Sequence, residues 1–342
     1  MTRLFEIKDK VFKFCAQYES YLKFVYKFVI ALILFCIING SVGFMETISS
    51  FPVALLLALV CCLLPQGATL LIAAVLVVLN LYVLSLEVAI TALAIFVIVF
   101  LVYFRFAPQD CTLFTITPIL YALRIPYILP IGAGLLRKSY SIIAVVCGTI
   151  SFYFLNGIYE NVSALATTGS GEGTTAKMTI TVSQLLSNKE MYLAVGIVVL
   201  SGIVVSVVRK LVIDHAWKIA VISGVLVQVA GLFAGYLLFN ISGKTLGMII
   251  GNIIALLLGF VIEFLFMDLD YERTERVQFE DDDYYYYVKA VPKKMVTSSE
   301  KTIKQFNEGT GFEKKAKRKI DGVSESRRSI VEELDIDDEF FK

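Results

Sequence analysis

The chain has 342 residues, 57% of them hydrophobic and only 18% charged, with a mean hydropathy of +0.76 and a formal net charge of +1. Soluble globular domains carry about 25% charged residues, so this composition excludes an ordinary soluble enzyme and points to an integral membrane protein. The charge is segregated, since residues 28–268 hold only 10 of the 31 Lys and Arg and 9 of the 30 Asp and Glu, and nothing in it calls for a nucleic-acid partner.

Residues 1–24 predict an amphipathic helix. Leu4, Ile7, Val11, Cys15, Tyr18 and Leu22 recur at three- and four-residue spacing, the period of one helical face. Lys8, Lys10 and Lys13 stand opposite that stripe, as in a helix lying along the inner membrane surface.

Residues 25–268 read as a polytopic domain. A membrane helix needs about 20 apolar residues, and eight runs meet or approach that length: Val25–Phe44, Ile48–Leu64, Gly67–Ser85, Glu87–Phe104, Tyr140–Tyr159, Met191–Val208, Trp217–Asn240 and Thr245–Met267. The second is short and turns at Pro65-Gln66-Gly67 straight into the third. Eight crossings with a cytosolic N-terminus put Arg105, Arg137, Lys138, Arg209, Lys210, Lys218 and the tail inside, in keeping with the excess of Lys and Arg in cytoplasmic loops. The expected location is a cell membrane, bacterial by default, with both termini cytosolic.

The stretch from Ala107 to Leu136 breaks the pattern. It is apolar but carries Pro118, Pro126, Pro130, Gly132 and Gly134, and proline removes a backbone donor and disfavours helix in the residue before it. The reading is two half-helices, Thr115–Leu123 and Pro126–Leu135, meeting at Arg124-Ile125. The segment then re-enters the membrane, or lies flat at the interface with Arg124 reaching for water. In the first case Arg124 sits beside the start of a half-helix, where free amides and the helix dipole favour an anion. Discontinuous helices of this kind mark transporter sites. Arg124 is therefore the candidate anchor for a small anionic solute, with Thr115, Thr117 and Tyr121 as hydroxyl donors.

The outer loop 160–190 opens with a Gly/Ser/Thr-rich run, and Ala176–Val182 suits a short strand. Next come two stripes of small residues: Gly224, Gly231 and Gly235 in the seventh run, and Gly243, Gly247, Gly251 and Gly259 leading into and along the eighth. Such spacing lets helices approach closely in lipid, and it predicts that the last two spans pack on each other with Gln228 and Asn252 hydrogen-bonded across the contact.

Residues 269–342 form a charged cytosolic tail with 15 Lys and Arg against 18 Asp and Glu. Two β-favouring arms, Glu275–Phe279 and Tyr284–Val291, flank an acidic turn and predict a hairpin. Tyr284, Tyr285, Tyr286 and Tyr287, with Phe340 and Phe341 in the acidic terminus, are candidate docking residues for a cytosolic protein. The fold class is thus an all-α integral membrane protein of about eight membrane helices, with a proline-broken re-entrant or interfacial segment and a tail bearing a β-hairpin.

No nucleotide-binding, hydrolase or metalloprotease motif is present, so no catalytic residue is assigned. The single histidine, His215, and six scattered cysteines give no metal-site spacing, and no cofactor is expected. Two functions from different classes fit: a permease or transporter subunit for an anionic or lipid-like solute, and a non-transporting membrane scaffold that recruits cytosolic partners through its tail.

Overall fold

Proline and polar breaks cut the apolar sequence into helices whose ends are short and sharply turned. The computed structural model describes residues 2–45, 47–163, 174–241, 243–267, 274–281 and 284–292. The chain divides into two compact units, Met1–Val296 and Thr297–Lys342. The second lies outside the described residues, and with it Phe340, Phe341 and the acidic terminus.

The first unit starts with α1 (Thr2–Gln17), α2 (Glu19–Val42), α3 (Phe51–Leu63), α4 (Gln66–Leu84) and α5 (Leu86–Phe106). Two short helices follow, α6 (Cys111–Ala122) and α7 (Ile128–Leu136), then a 3-10 turn, Ser139–Ser141, leading into α8 (Ile142–Glu160). The last helices are α9 (Thr174–Leu186), α10 (Lys189–Val208), α11 (Ala216–Phe239) and α12 (Thr245–Phe266), ahead of strands β1 (Glu275–Glu280) and β2 (Tyr285–Ala290). Among the described residues seven helices are long and apolar enough to cross a membrane: α2, α4, α5, α8 with its 3-10 turn, α10, α11 and α12.

That is one fewer than the eight apolar runs. The exception is α3, whose 13 residues rise about 20 Å at 1.5 Å each, short of a hydrocarbon core of about 30 Å. Pro52 in its first turn starts the helix late, and Leu64 ahead of Pro65 adopts extended backbone that ends it. The rest of the run is a connection pinned by the fully buried Asn80, whose Oδ1 accepts from the Met45 amide at 3.2 Å and the Ser49 hydroxyl at 2.9 Å. The helix still runs back along α2. Lys27 Nζ donates to the Leu64 carbonyl at 3.3 Å and Cys62 Sγ to that of Phe24 at 3.2 Å.

Two of the apolar clusters among the described residues frame the proline-broken segment. The first gathers Phe35, Ile38, Ala58, Leu76, Leu81, Ala92 and Phe96 from α2 to α5 against Phe154 and Ile158 of α8. The second gathers Ile131 and Leu135 of α7 with Val205, Ala220, Val221 and Ala255 from α10, α11 and α12. Helix α8 also packs on α7, in a further cluster where its Ile142 and Val145 meet Leu129 and Ala133.

Three elements differ from the sequence reading. Residues 176–182 lie in helix α9 rather than a strand; Ile180 and Leu185 pack on the first core, and burial overrides the strand preference of the Thr and Ile residues. Lys8 is not on an open polar face: it is 8% exposed and donates to the Phe264 carbonyl at 2.7 Å, in the last turn of α12 where carbonyls lack helical partners. Gln228 and Asn252 do not bond each other. Gln228 Nε2 donates to Ser201 Oγ of α10 at 2.9 Å, and Asn252 Nδ2 to its own helix at the Met248 carbonyl.

The expected hairpin is present as an antiparallel pair running from Glu275 opposite Ala290 to Glu280 opposite Tyr285. Both strands are exposed along their length. Phe279 stacks on its cross-strand partner Tyr286 with ring centroids 5.0 Å apart, and Lys289 pairs with Asp214 in the turn between α10 and α11.

Candidate functional site

The proline-broken segment forms a helical hairpin whose two arms start and finish at one place. Asp110, 3% exposed, accepts from the Ser141 hydroxyl at 2.6 Å and pairs with Arg137 Nε at 3.3 Å, so the entry to α6 and the exit from α7 are held together. Arg209 at the end of α10 reaches across to donate through both terminal nitrogens, to the carbonyls of Leu135 and, at 2.7 Å, of Arg137. These carbonyls lie at the end of α7, where no helical amide serves them.

At the other end the chain reverses within four residues. The Arg124 amide bonds the Tyr121 carbonyl at 3.0 Å and the Ile125 amide that of Leu120 at 2.9 Å, with Arg124 at φ 62°. That is a Schellman cap, in which the left-handed residue is ordinarily glycine. Pro126 then prevents the helix from continuing. The tip, Ala122 to Arg124, is exposed, whereas seven of the nine residues of α7 are buried.

The tip reaches partway along the bundle. Tyr121 stacks on Phe152 at 4.9 Å between centroids and meets Tyr153 edge-on at 5.7 Å. Phe152 is ten residues into α8, about 15 Å from its start at 1.5 Å per residue. The arms divide between the two cores: Ile119 of α6 belongs to the first, and Ile128, Ile131 and Leu135 of α7 to the second.

Thr115 and Thr117 are both buried on α6, and their hydroxyls donate within the helix, to the Cys111 carbonyl at 2.8 Å and the Leu113 carbonyl at 2.6 Å. Their protons are thereby used, which leaves Arg124 and Tyr121 as the named residues at the tip. Sequence reasoning missed the tyrosines around it. Tyr127, three residues past Arg124, packs with Tyr236 of α11 against the cluster of Ile197, Leu232 and Met248. The available signal was four phenolic hydroxyls within otherwise apolar runs, a pattern more common for rings that need a polar partner than for plain filler. Beyond them Glu190 and Lys244 form an ion pair of 2.7 Å.

The small-residue stripes face more than one neighbour. A Cβ on Gly224 would strike Val205, on Gly231 it would crowd Ile197, and on Gly235 it would strike Leu193, so the α11 stripe packs on α10. On α12, Gly251 faces the Tyr127 ring and Gly259 faces Val221 and Ile131, while Gly247 and the turn residue Gly243 meet nothing within 4 Å. Two buried acceptors in this half, Gln228 Oε1 and Asn252 Oδ1, have no hydrogen-bond partner. Among the described residues, no group of three or more His, Cys, Asp or Glu could hold a metal ion.

Fold and site together define a class: a helical protein whose described residues include seven helices long and apolar enough for a membrane, with a short helical hairpin packed among them. No family model, curated protein or solved structure matches the chain.

Proposed function

We propose that this chain is a permease or transporter subunit for an anionic or lipid-like solute, with the α6–α7 hairpin re-entering a cell membrane from the cytosolic side and Arg124 anchoring the solute. The observation that carries the reading is the exposed, left-handed Arg124 at the tip of a hairpin whose ends are joined by Asp110 and Arg137. Irregular backbone at membrane depth is tolerated where it is buried in protein or lines a water-filled cavity. Broken helices between two helix groups are the usual place for a transported solute. Arg137, Lys138, Arg209 and Lys210 gather where the hairpin enters, and under the preference for inside Lys and Arg that end is cytosolic.

Labelling with a membrane-impermeant thiol reagent tests this in a cysteine-free background. Cysteines at exposed Gln109 and Lys138 are expected to react only from the cytosolic side, and one at Arg124 through a polar path. Reaction of 109 and 138 from opposite sides would make the segment a plain crossing and remove the reading. A panel of carboxylate and phosphate solutes in reconstituted vesicles then gives the second arm, with Arg124→Ala expected to lose uptake while inserting normally.

The scaffold reading draws on one observation of its own. Both faces of the β-hairpin are exposed, with Tyr284 at 67% and Tyr287 at 79%, and a two-stranded hairpin is marginal alone in water. Deleting residues 275–290 is expected to abolish co-purification of a cytosolic partner if recruitment is the role, and to leave uptake intact.

A further inference from the structure

A second site lies in the first helix group, away from Arg124 and independent of it. A narrow, half-open slot of about 50 Å³ lies between α2, α4, α5, α6 and α8, lined by Leu34, Leu70, Ala73, Phe96, Phe114 and Leu155 among others. A slot this small suits something thin. It is also chemically mute. The two hydroxyls on its wall, Thr115 and Ser151, donate to their own helices at the Cys111 and Cys147 carbonyls, 2.8 and 2.9 Å away. A slot with no free donor offers nothing to a polar ligand and does offer contact to a hydrocarbon chain.

Thr115 is shared with a smaller, polar pocket lined by Tyr26, Lys27, Ile30, Gln66, Thr69 and Thr112. This mouth is built: Thr112 Oγ1 donates to Gln66 Oε1 at 3.0 Å, beside the Tyr26 side chain. Lys27 Nζ donates to the Leu64 carbonyl. An ammonium group has three donors, so two remain, and among the described residues no ion pair engages Lys27. A cation without an acidic partner therefore stands at the polar end of an apolar slot.

We infer that the paired pockets hold one anionic phospholipid, its phosphate at Lys27 and the amide nitrogen of Gln66, and one acyl chain running up the slot past Ala73. The juxtaposition of an unpaired cation with a donor-free apolar slot selects an amphiphile carrying negative charge at one end. It distinguishes this lipid from those that merely coat the outside, which meet no such pairing of cation and slot.

The test is native mass spectrometry of the full-length protein in mild detergent, with phosphatidylglycerol and phosphatidylcholine of identical chains. Wild type is expected to retain one phosphatidylglycerol in preference to phosphatidylcholine. Lys27→Gln should lower that retention about fivefold, the effect of one cation at an anionic headgroup, and Lys23→Gln, an exposed control on the same helix, should not. Ala73→Phe fills the slot and should reduce retention of both lipids. Equal retention of the two lipids by wild type, or wild-type retention in Lys27→Gln, overturns the assignment. Displacement of the lipid by millimolar inorganic phosphate does so too, by assigning the mouth to a free anion. Should Ala73→Phe fail to fold by thermal melt, the comparison of Lys27→Gln with Lys23→Gln decides alone.

Discussion

Arg124 occupies a backbone position that costs free energy to hold. Left-handed conformation in a residue with a Cβ is worth about 1 kcal/mol or more against folding, and glycine would adopt φ 62° without that cost. The two capping bonds from Arg124 and Ile125 use backbone amides only, so they survive substitution. Arg124→Gly should raise stability by about 1 kcal/mol, seen as a higher melting temperature in detergent, while Arg124→Ala should not. If the guanidinium serves an anion, both variants lose solute binding equally, which separates the charge from the strain. An Arg124→Gly protein that melts no higher would show that the tip relaxes elsewhere. Arg209 belongs to the same scale. Its two donors cap the end of α7, and hydrogen bonds from a charged group contribute roughly 1.5–3 kcal/mol, less here because one of them is exposed. Arg209→Ala should therefore lower stability by about 1–2 kcal/mol, and Arg209→Lys, with one compact ammonium instead of a fork, should recover only part of it in the same melt.

Helix α7 has nine residues, too few to persist without tertiary contacts, and its existence rests on what it packs against. Gly134 is the tightest point, since a Cβ there would lie 2.8 Å from the Val205 side chain and 3.1 Å from the Gly202 carbonyl. Val205 is β-branched and stiff, so Gly134→Val should destabilise the bundle by about 1–3 kcal/mol, whereas Gly247→Val, facing open space, should change the melt by less than about 0.5 kcal/mol. The hairpin itself was legible in the sequence because proline acts locally: Pro118, Pro126 and Pro130 constrain backbone whatever surrounds them. The arms run Cys111–Ala122 and Ile128–Leu136, against Thr115–Leu123 and Pro126–Leu135 read from residues alone. Partners were not legible. A stripe of glycines announces a close approach but not to whom, so Gly247 and Gly251 look alike in sequence although one is free and the other lies under a tyrosine ring. For the same reason α9 was read as a strand: its Thr and Ile residues carry that preference, and only contact with the first core reverses it. Tyr127, Tyr153 and Tyr236 escaped notice because they come from the turn before α7, from α8 and from α11, and nothing local gathers them.

At the scale of the whole first unit, the β-hairpin is joined to the helices through the Lys289–Asp214 pair. The Lys289 side-chain hydrogen bond holds the Asp214 carboxyl below its ordinary range, with the charges of Lys289, His215 and Arg276 adding in the same sense and burial opposing. The sign of the pH dependence follows. A carboxyl with a depressed folded-state pKa contributes its stabilisation above the unfolded value, 3.8 here, and loses it as pH falls through the lower folded value. Docking of the hairpin should therefore be indifferent to pH between about 6 and 8 and should weaken below about 4. The pair is exposed, so salt should weaken it as well, with screening lengths near 8 Å at physiological ionic strength. Hydrogen exchange of the β1 amides reads this directly. Protection is expected to fall on acidification below the carboxylate range, to fall modestly in 1 M salt, and to be low at every pH in Lys289→Gln. Protection in Lys289→Gln equal to wild type would mean that the strands are held by their own cross-strand pairs, Phe279 with Tyr286 above all, and that Asp214 only orients them. The two outcomes bear on recruitment: a hairpin released by one lost ion pair presents its aromatic face as a mobile arm, and one that keeps its own order presents a fixed edge to a partner.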